Sequence, residues 1–235
     1  MNNNSKCLMI AHRGVSVLET ENTCAAFVAA GVKSYFGIET DVHVTKDGRL
    51  IICHDDNIKR VSGVDMVIEQ SEYEDLKKVK LFDTDGKNLR SDLCLPDLND
   101  YLLICKKYRK YAVLELKNNM EKRDIEKIVE AVKNTEWFCN TIFISFSRSN
   151  LLNLRDIAPD ASLQFLTDVA DKDTLEFLEK ANCDLDIFYG VAEEAFIKLV
   201  HERGRKVNVW TVDDSATAEK FVLMGVDFIT SNALE

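Results

Sequence analysis

The sequence predicts an α/β fold, a (β/α)8 barrel with a small insertion between its second and third strands, and three observations carry that prediction. Short β-branched runs alternate with longer amphipathic segments along the whole 235-residue chain, the pattern of βα units around a parallel sheet. No linker interrupts the alternation, so a single domain over residues 1–235 is expected, in the size range of such barrels. Polar and charged residues close several of the apolar runs, as they do in a fold that builds its active site at the C-terminal ends of its strands.

Strands are expected near residues 7–11, 37–42, 112–116, 141–146, 162–166, 185–189, 206–211 and 227–230. Helices are expected between them near 23–32, 98–108, 122–134, 149–157, 172–181, 193–202 and 215–224. One stretch breaks the rule, because between Asp41 and His54 there is room only for Thr45-Lys-Asp-Gly-Arg49 between two alternating segments. That reads as a hairpin. Antiparallel pairing then sets Thr45 opposite Arg49 and Asp41 about opposite His54, which returns His54 to the barrel mouth. Residues 56–96 follow as an irregular excursion with a weak helix at 72–79, before Pro96 opens the next helix. Hairpin and excursion together, about 43–96, form the insertion and are placed as a cap on the substrate side.

Net charge and cysteine usage exclude several classes of function. A formal charge of −10 and a pI near 5.0 argue against a nucleic-acid partner, which needs a basic face to neutralise phosphates. Residues 1–6 are polar and lead into a short apolar run, well below a signal peptide or a membrane span, so no integral membrane association and a cytoplasmic location are expected. Seven cysteines, an odd count without CxxC spacing, predict reduced, mostly buried thiols and no disulfide framework or zinc knuckle.

The polar strand ends carry the chemistry. Glu39 and Asp41 lie two apart on one strand and so share a face, and Glu115 ends another strand aimed at the same centre. Three converging carboxylates either pair with neighbouring lysines and arginines or hold a hard divalent cation, Mg²⁺ or Ca²⁺; taken together they favour the cation. His12 and His54 each end a strand segment beside charged residues, and two imidazoles flanking a phosphorus can take and give protons near neutral pH. Without an HxH or HExxH pair they are poor zinc ligands. Arg13 and Lys117 give an acidic chain a local anion site; Arg13 also suits an ion pair with a metal-binding carboxylate. Asn22 or Thr23 caps the first helix, and Glu21 orients Arg13 or His12. Trp210 carries two readings, packing on a three-carbon substrate or plugging the barrel. His43, in the hairpin, and His201, near a helix end, are expected to be solvated.

In order and spacing, Ala11-His-Arg-Gly14, Glu21-Asn-Thr23, Glu39-Thr-Asp41-Val, Thr45-Lys-Asp-Gly48, His54-Asp55, Glu115-Leu-Lys117, Ser145-Phe146, Trp210-Thr-Val212 and Gly225-Val-Asp227 resemble the glycerophosphodiester phosphodiesterase family. The resemblance implies a TIM barrel that hydrolyses glycerophosphodiesters, such as deacylated phospholipids, to glycerol 3-phosphate and an alcohol. It further implies His12 and His54 as the acid–base pair, Glu39, Asp41 and Glu115 as metal ligands, and Arg13 and Lys117 as phosphate contacts. Thr20 departs from the family's usual proline, and no proline follows Asn232; both departures are expected to leave the chemistry untouched.

Overall fold

Apolar residues on both faces of a strand demand cover on both sides, and a closed barrel ringed by helices supplies it. The computed structural model describes residues 7–235; the polar leader, residues 1–6, lies outside the described residues. The barrel strands are β1 (Leu8–Ala11), β2 (Gly37–Val44), β3 (Tyr111–Leu116), β4 (Thr141–Ser145), β5 (Ser162–Thr167), β6 (Asp184–Phe188), β7 (Val207–Trp210) and β8 (Phe228–Ser231). All pair in parallel with their neighbours, and β1 joins β8 and β2 to close the ring. The helices between them are α1 (Cys24–Gly31), α2 (Leu98–Tyr108), α3 (Lys122–Asn134), α4 (Arg148–Ile157), α5 (Lys172–Ala181), α6 (Glu194–Glu202) and α7 (Ser215–Met224). Among the described residues no helix is long and apolar enough to cross a membrane.

Alternation along each strand separates two cores. Inward positions such as Ile10, Val113, Ile144 and Leu166 fill the barrel, while Ile38, Leu114, Phe143 and Leu185 meet the helices. Helix starts follow their caps: the side chains of Thr23, Ser147, Asp171 and Asp214 each accept a backbone N–H of the first turn.

The insertion is more ordered than its irregular sequence implies. It contains short helices at Lys59–Ser62 and Tyr73–Lys78 and packs Ile58, Ile68, Leu76 and Leu95 into a small core of its own. Thr20 ties it to the barrel by donating to the Phe82 carbonyl at 2.7 Å, so the residue that departs from the family's proline makes a bond to the cap instead. The hairpin register sets Val42 against Ile52 and Thr45 against Arg49 (N···O 2.8 Å). By the same count Asp41 faces Cys53, whose N–H it accepts at 3.1 Å. His54 therefore stands one residue beyond the position opposite Asp41.

Two histidine expectations are corrected. His43 is fully buried, because β2 continues to Val44 and the turn at Ile68–Gln70 folds over it; its Nδ1 lies 3.8 Å from Glu69. His201 is half-buried and its Nε2 meets Asp227 Oδ2 at 3.0 Å, which ties the end of α6 to the start of β8 and leaves the ring only partly solvated.

The loop from β1 to α1 turns on Gly14, which has φ +80° and whose added Cβ would lie 2.7 Å from the backbone of Ala26. Gly14→Ala is expected to destabilise the protein by at least about 1–3 kcal/mol, the cost of one strained residue. Urea unfolding measures it; a variant as stable as the parent would mean that α1 can retreat from the loop.

Candidate active site

Parallel register assembles the carboxylates. Asp41 on β2 sits directly beside Glu115 on β3, Glu39 lies two residues back on the same face, and all three offer oxygens within 4.8 Å of one another. Lys117, just beyond β3, places Nζ 3.0 Å from Glu115 and 3.5 Å from Asp41. Arg13 enters from the β1 loop. Its backbone N–H donates to Glu39 Oε2 at 2.9 Å, its Nε lies 3.6 Å from Asp41, and Nη1 meets Glu21 at 2.9 Å. Glu21 thus orients Arg13, and also accepts from Arg60.

Each histidine is fixed through its Nδ1. His12 Nδ1 lies 2.8 Å from Asn232 Oδ1. Because Asn232 donates its amide N–H to Asp213 at 2.7 Å, the amide oxygen faces His12, and Nδ1 carries the proton. His12 Nε2 keeps its lone pair and lies 4.0 Å from Glu39. His54 Nδ1 is 2.7 Å from Asp55 Oδ1, and Asp55 is bonded to Arg60.

All eight residues singled out from the sequence, His12, Arg13, Glu39, Asp41, His54, Glu115, Lys117 and Trp210, come to this mouth. His12, Arg13, Glu39, His54 and Glu115 wall one side of a cavity of about 60 Å³ whose other side includes Phe146, Asp186 and Trp210. Lys117 lines an adjoining groove of about 460 Å³ that shares Glu115 and Phe146. Trp210 packs edge-on to Phe146, ring centroids 5.6 Å apart, and 5.5 Å from Phe188.

Four residues have roles at the site that the sequence reading did not assign. Asn232 holds His12 although it lies 220 positions away; the continuation of β8 beside β1 was the available signal. Asn22 is not the helix cap, a role Thr23 fills; it donates to Asp41 Oδ2 at 2.8 Å and accepts from Thr40. Phe146 walls the cavity while half exposed, and Asp186 lies buried inside the barrel on a segment whose sequence reads only as a core strand.

Comparison with known proteins fits this geometry. The family model described as the glycerophosphoryl diester phosphodiesterase family matches residues 12–235. The chain belongs to that family. Its members are phosphoric diester hydrolases, and this chain shares that enzymatic class. The chain is 27% identical to the glycerophosphodiester phosphodiesterase of Caldanaerobacter subterraneus subsp. tengcongensis over 230 residues, which cover 97% of this chain and 94% of that protein. A Bacillus altitudinis glycerophosphodiester phosphodiesterase is 25% identical, with 94% and 92% covered. Among solved structures, an Oleispira antarctica phosphodiesterase in complex with the product sn-glycerol-3-phosphate superposes with a TM-score of 0.88 at 26% identity, covering 96% of this chain and 92% of that one.

In this family member three buried carboxylates face two cations, and their protonation reflects the deficit. Burial and then Asp41 hold Glu39 well above the usual carboxylate range, and burial with Asp41 raises Glu115 to about 8. Burial opposes ionisation of Asp41 too, but Lys117 and Arg13 outweigh it and the net shift is downward. An oxygen-only cluster short of positive charge, in which Asp41 Oδ1 has no hydrogen bond and only the Lys117 ammonium at 3.5 Å, fits a hard divalent cation. Burial and then Arg13 lower His12 to about 4, so its ring is neutral at pH 7.

A pH dependence of stability follows. With a folded value near 8 for Glu115, the folded, metal-free protein keeps a proton that the unfolded chain has lost above its ordinary value of 4.5, so stability falls as pH rises toward 8. His12 acts in the opposite sense, but only between about 4 and 6.5. Thermal melts in EDTA should therefore decline between pH 6.5 and 8, and Mg²⁺ or Ca²⁺ should weaken that decline if the ionised carboxylates hold the ion. Identical pH profiles with and without the ion would count against a cation at this cluster.

Proposed function

We propose that this chain hydrolyses glycerophosphodiesters to sn-glycerol 3-phosphate and an alcohol, that it requires a divalent cation, Mg²⁺ or Ca²⁺, held by Glu39, Asp41 and Glu115, and that His12 and His54 form its acid–base pair. The observation that carries the reading is the pair of oriented imidazoles in one cavity with the buried carboxylates. The product complex of the Oleispira antarctica phosphodiesterase supports the glycerol phosphate assignment.

Arg13 and Lys117 suit two oxygens of the phosphodiester, the first as a planar fork and the second as a point charge. The cation, when bound, supplies Lewis-acid neutralisation of charge on the phosphoryl group. His12 is neutral and presents an unprotonated Nε2, which supports its role as the base that removes a proton from the attacking oxygen. His54 donates from Nδ1 to Asp55, a carboxylate that Arg60 and His54 hold down at about 2 against the opposing effect of burial. That partner compensates charge on the ring and supports His54 as the acid that protonates the departing alkoxide. Trp210 and Phe146 offer apolar surface to the carbon skeleton. The barrel and its insertion act as a single domain. Seven free cysteines are in keeping with a reducing, cytoplasmic setting.

A panel of glycerophosphodiesters assayed after EDTA stripping, then with each ion restored, tests the proposal. Turnover should vanish in EDTA and return with one of the two ions. His12→Ala and His54→Ala should each lower kcat by roughly 10²–10⁴, the usual worth of acid–base catalysis, and the double variant should lose less than the product of the two. Full turnover in EDTA would remove the cation from the mechanism, and near-parental turnover of His54→Ala would remove the histidine pair.

A further inference from the structure

Across the barrel from the carboxylate cluster lies a polar group that the mechanism above leaves unused. Asp186 sits in the middle of β6, four strands from β2 in a ring of eight and therefore on the opposite wall. Its register partners are Leu166 on β5 and Asn208 on β7, so it points inward, one pleat below Phe188 and Trp210. It is 2% exposed and lines the same cavity as His12, Glu39 and His54.

Nothing in the barrel fully satisfies this carboxyl. Oδ1 has no hydrogen-bond partner, and among the described residues no lysine, arginine or histidine forms an ion pair with Asp186. Asn208 gives the carboxyl a favourable side-chain contact that only partly offsets its burial, and the same amide donates from Nδ2 to Thr230 Oγ1 at 2.9 Å, so Oδ1 is left without a partner. A bare buried carboxyl oxygen is costly and calls for an explanation in a packed interior. A ligand hydroxyl that enters the cavity supplies one.

We propose that Asp186 receives a free hydroxyl of the substrate's glycerol moiety and makes the site select polyol phosphates over plain alkyl phosphates. The proposal rests on the glycerophosphodiesterase reading above and extends it to a specificity determinant. The more enclosed cavity, which Asp186 lines together with the histidines and carboxylates, is assigned to the invariant part of such substrates, and the more open groove beyond Glu115 and Phe146 to the variable alcohol. With the phosphate held between Arg13 and Lys117, the three-carbon chain extends across the mouth toward β6. Burial raises Asp186 to about 7, so near neutral pH the carboxyl can both donate to and accept from a hydroxyl group, which itself does both.

The test is a calorimetric titration of the full-length, cation-loaded protein with sn-glycerol 3-phosphate, with its two mono-deoxy analogues (propane-1,2-diol 1-phosphate and propane-1,3-diol 1-phosphate), and with inorganic phosphate. The parent should bind glycerol 3-phosphate roughly 10- to 100-fold more tightly than at least one deoxy analogue, the usual worth of a buried hydroxyl contact. Asp186→Leu should bring that ratio close to one and leave the affinity for inorganic phosphate unchanged. Asp186→Asn, which keeps a donor and an acceptor, should retain most of the preference. Asp186→Ala serves in the same way should leucine not fit the barrel. An unchanged ratio in Asp186→Leu or Asp186→Ala, or no preference in the parent, overturns the proposal. Failure of the functional reading is separate: it would appear as absent turnover of every glycerophosphodiester, while the binding ratio still reports on Asp186.

Discussion

Three carboxylates buried within 4.8 Å of one another repel, and the surrounding residues are arranged to keep them together. Lys117 lies on Glu115 and Asp41, Arg13 on Asp41 with its backbone on Glu39, and Asn22 donates to Asp41 from behind. Even so, the positive charge falls short. Two of the three carboxyls stay protonated well above their ordinary range, which is how a protein relieves like charge when no further counterion is at hand. A divalent cation held there would substitute for those protons, which would link metal affinity, pH and stability at this one place.

The barrel is what makes so crowded a cluster geometrically definite. Parallel register locks Asp41 beside Glu115, and β-strand alternation turns Glu39 to the same side. The packed layer of Ile10, Val113, Ile144 and Leu166 beneath resists the expansion by which repulsion would otherwise be relaxed. Arg60 extends the network outward. It joins Glu21, which orients Arg13, to Asp55, which orients His54, and so connects the Arg13 guanidinium to one imidazole through the insertion. The opposite wall of the cavity is aromatic, with Phe146, Phe188 and Trp210 in edge-to-face or tilted contact, and is suited to a carbon skeleton.

Much of this was legible in the sequence because it depends on local periodicity. Helices α2, α3, α5 and α7 begin and end where their amphipathic patterns do, and polar residues terminating apolar strands pointed to the mouth. Hidden features depended on partners remote in the chain. The hold of Asn232 on His12 exists only once the ring closes, and the burial of His43 depends on a turn 25 residues further on that has no periodic signal. Asp186 shows the limit of reading a segment only as a strand: two alternating aspartates, Asp184 and Asp186, share a face, and the role of the buried one is hidden until the cavity above it is seen. The hairpin shows a smaller limit, since pairing rules gave its register, yet whether Asp41 faces residue 53 or 54 decides the reach of the second histidine.

The central claim, that the carboxylate cluster is a cation site, is tested most directly by equilibrium titration of Mg²⁺ and Ca²⁺ into the EDTA-stripped protein, repeated in buffers of different ionisation enthalpy. The account predicts saturable binding of one ion per chain by at least one of the two metals. It also predicts proton release on binding near pH 7, because Glu115 starts protonated, and loss of binding in a folded Asp41→Asn variant. Absence of saturable binding by either ion, or an Asp41→Asn variant that binds as the parent does, would contradict it.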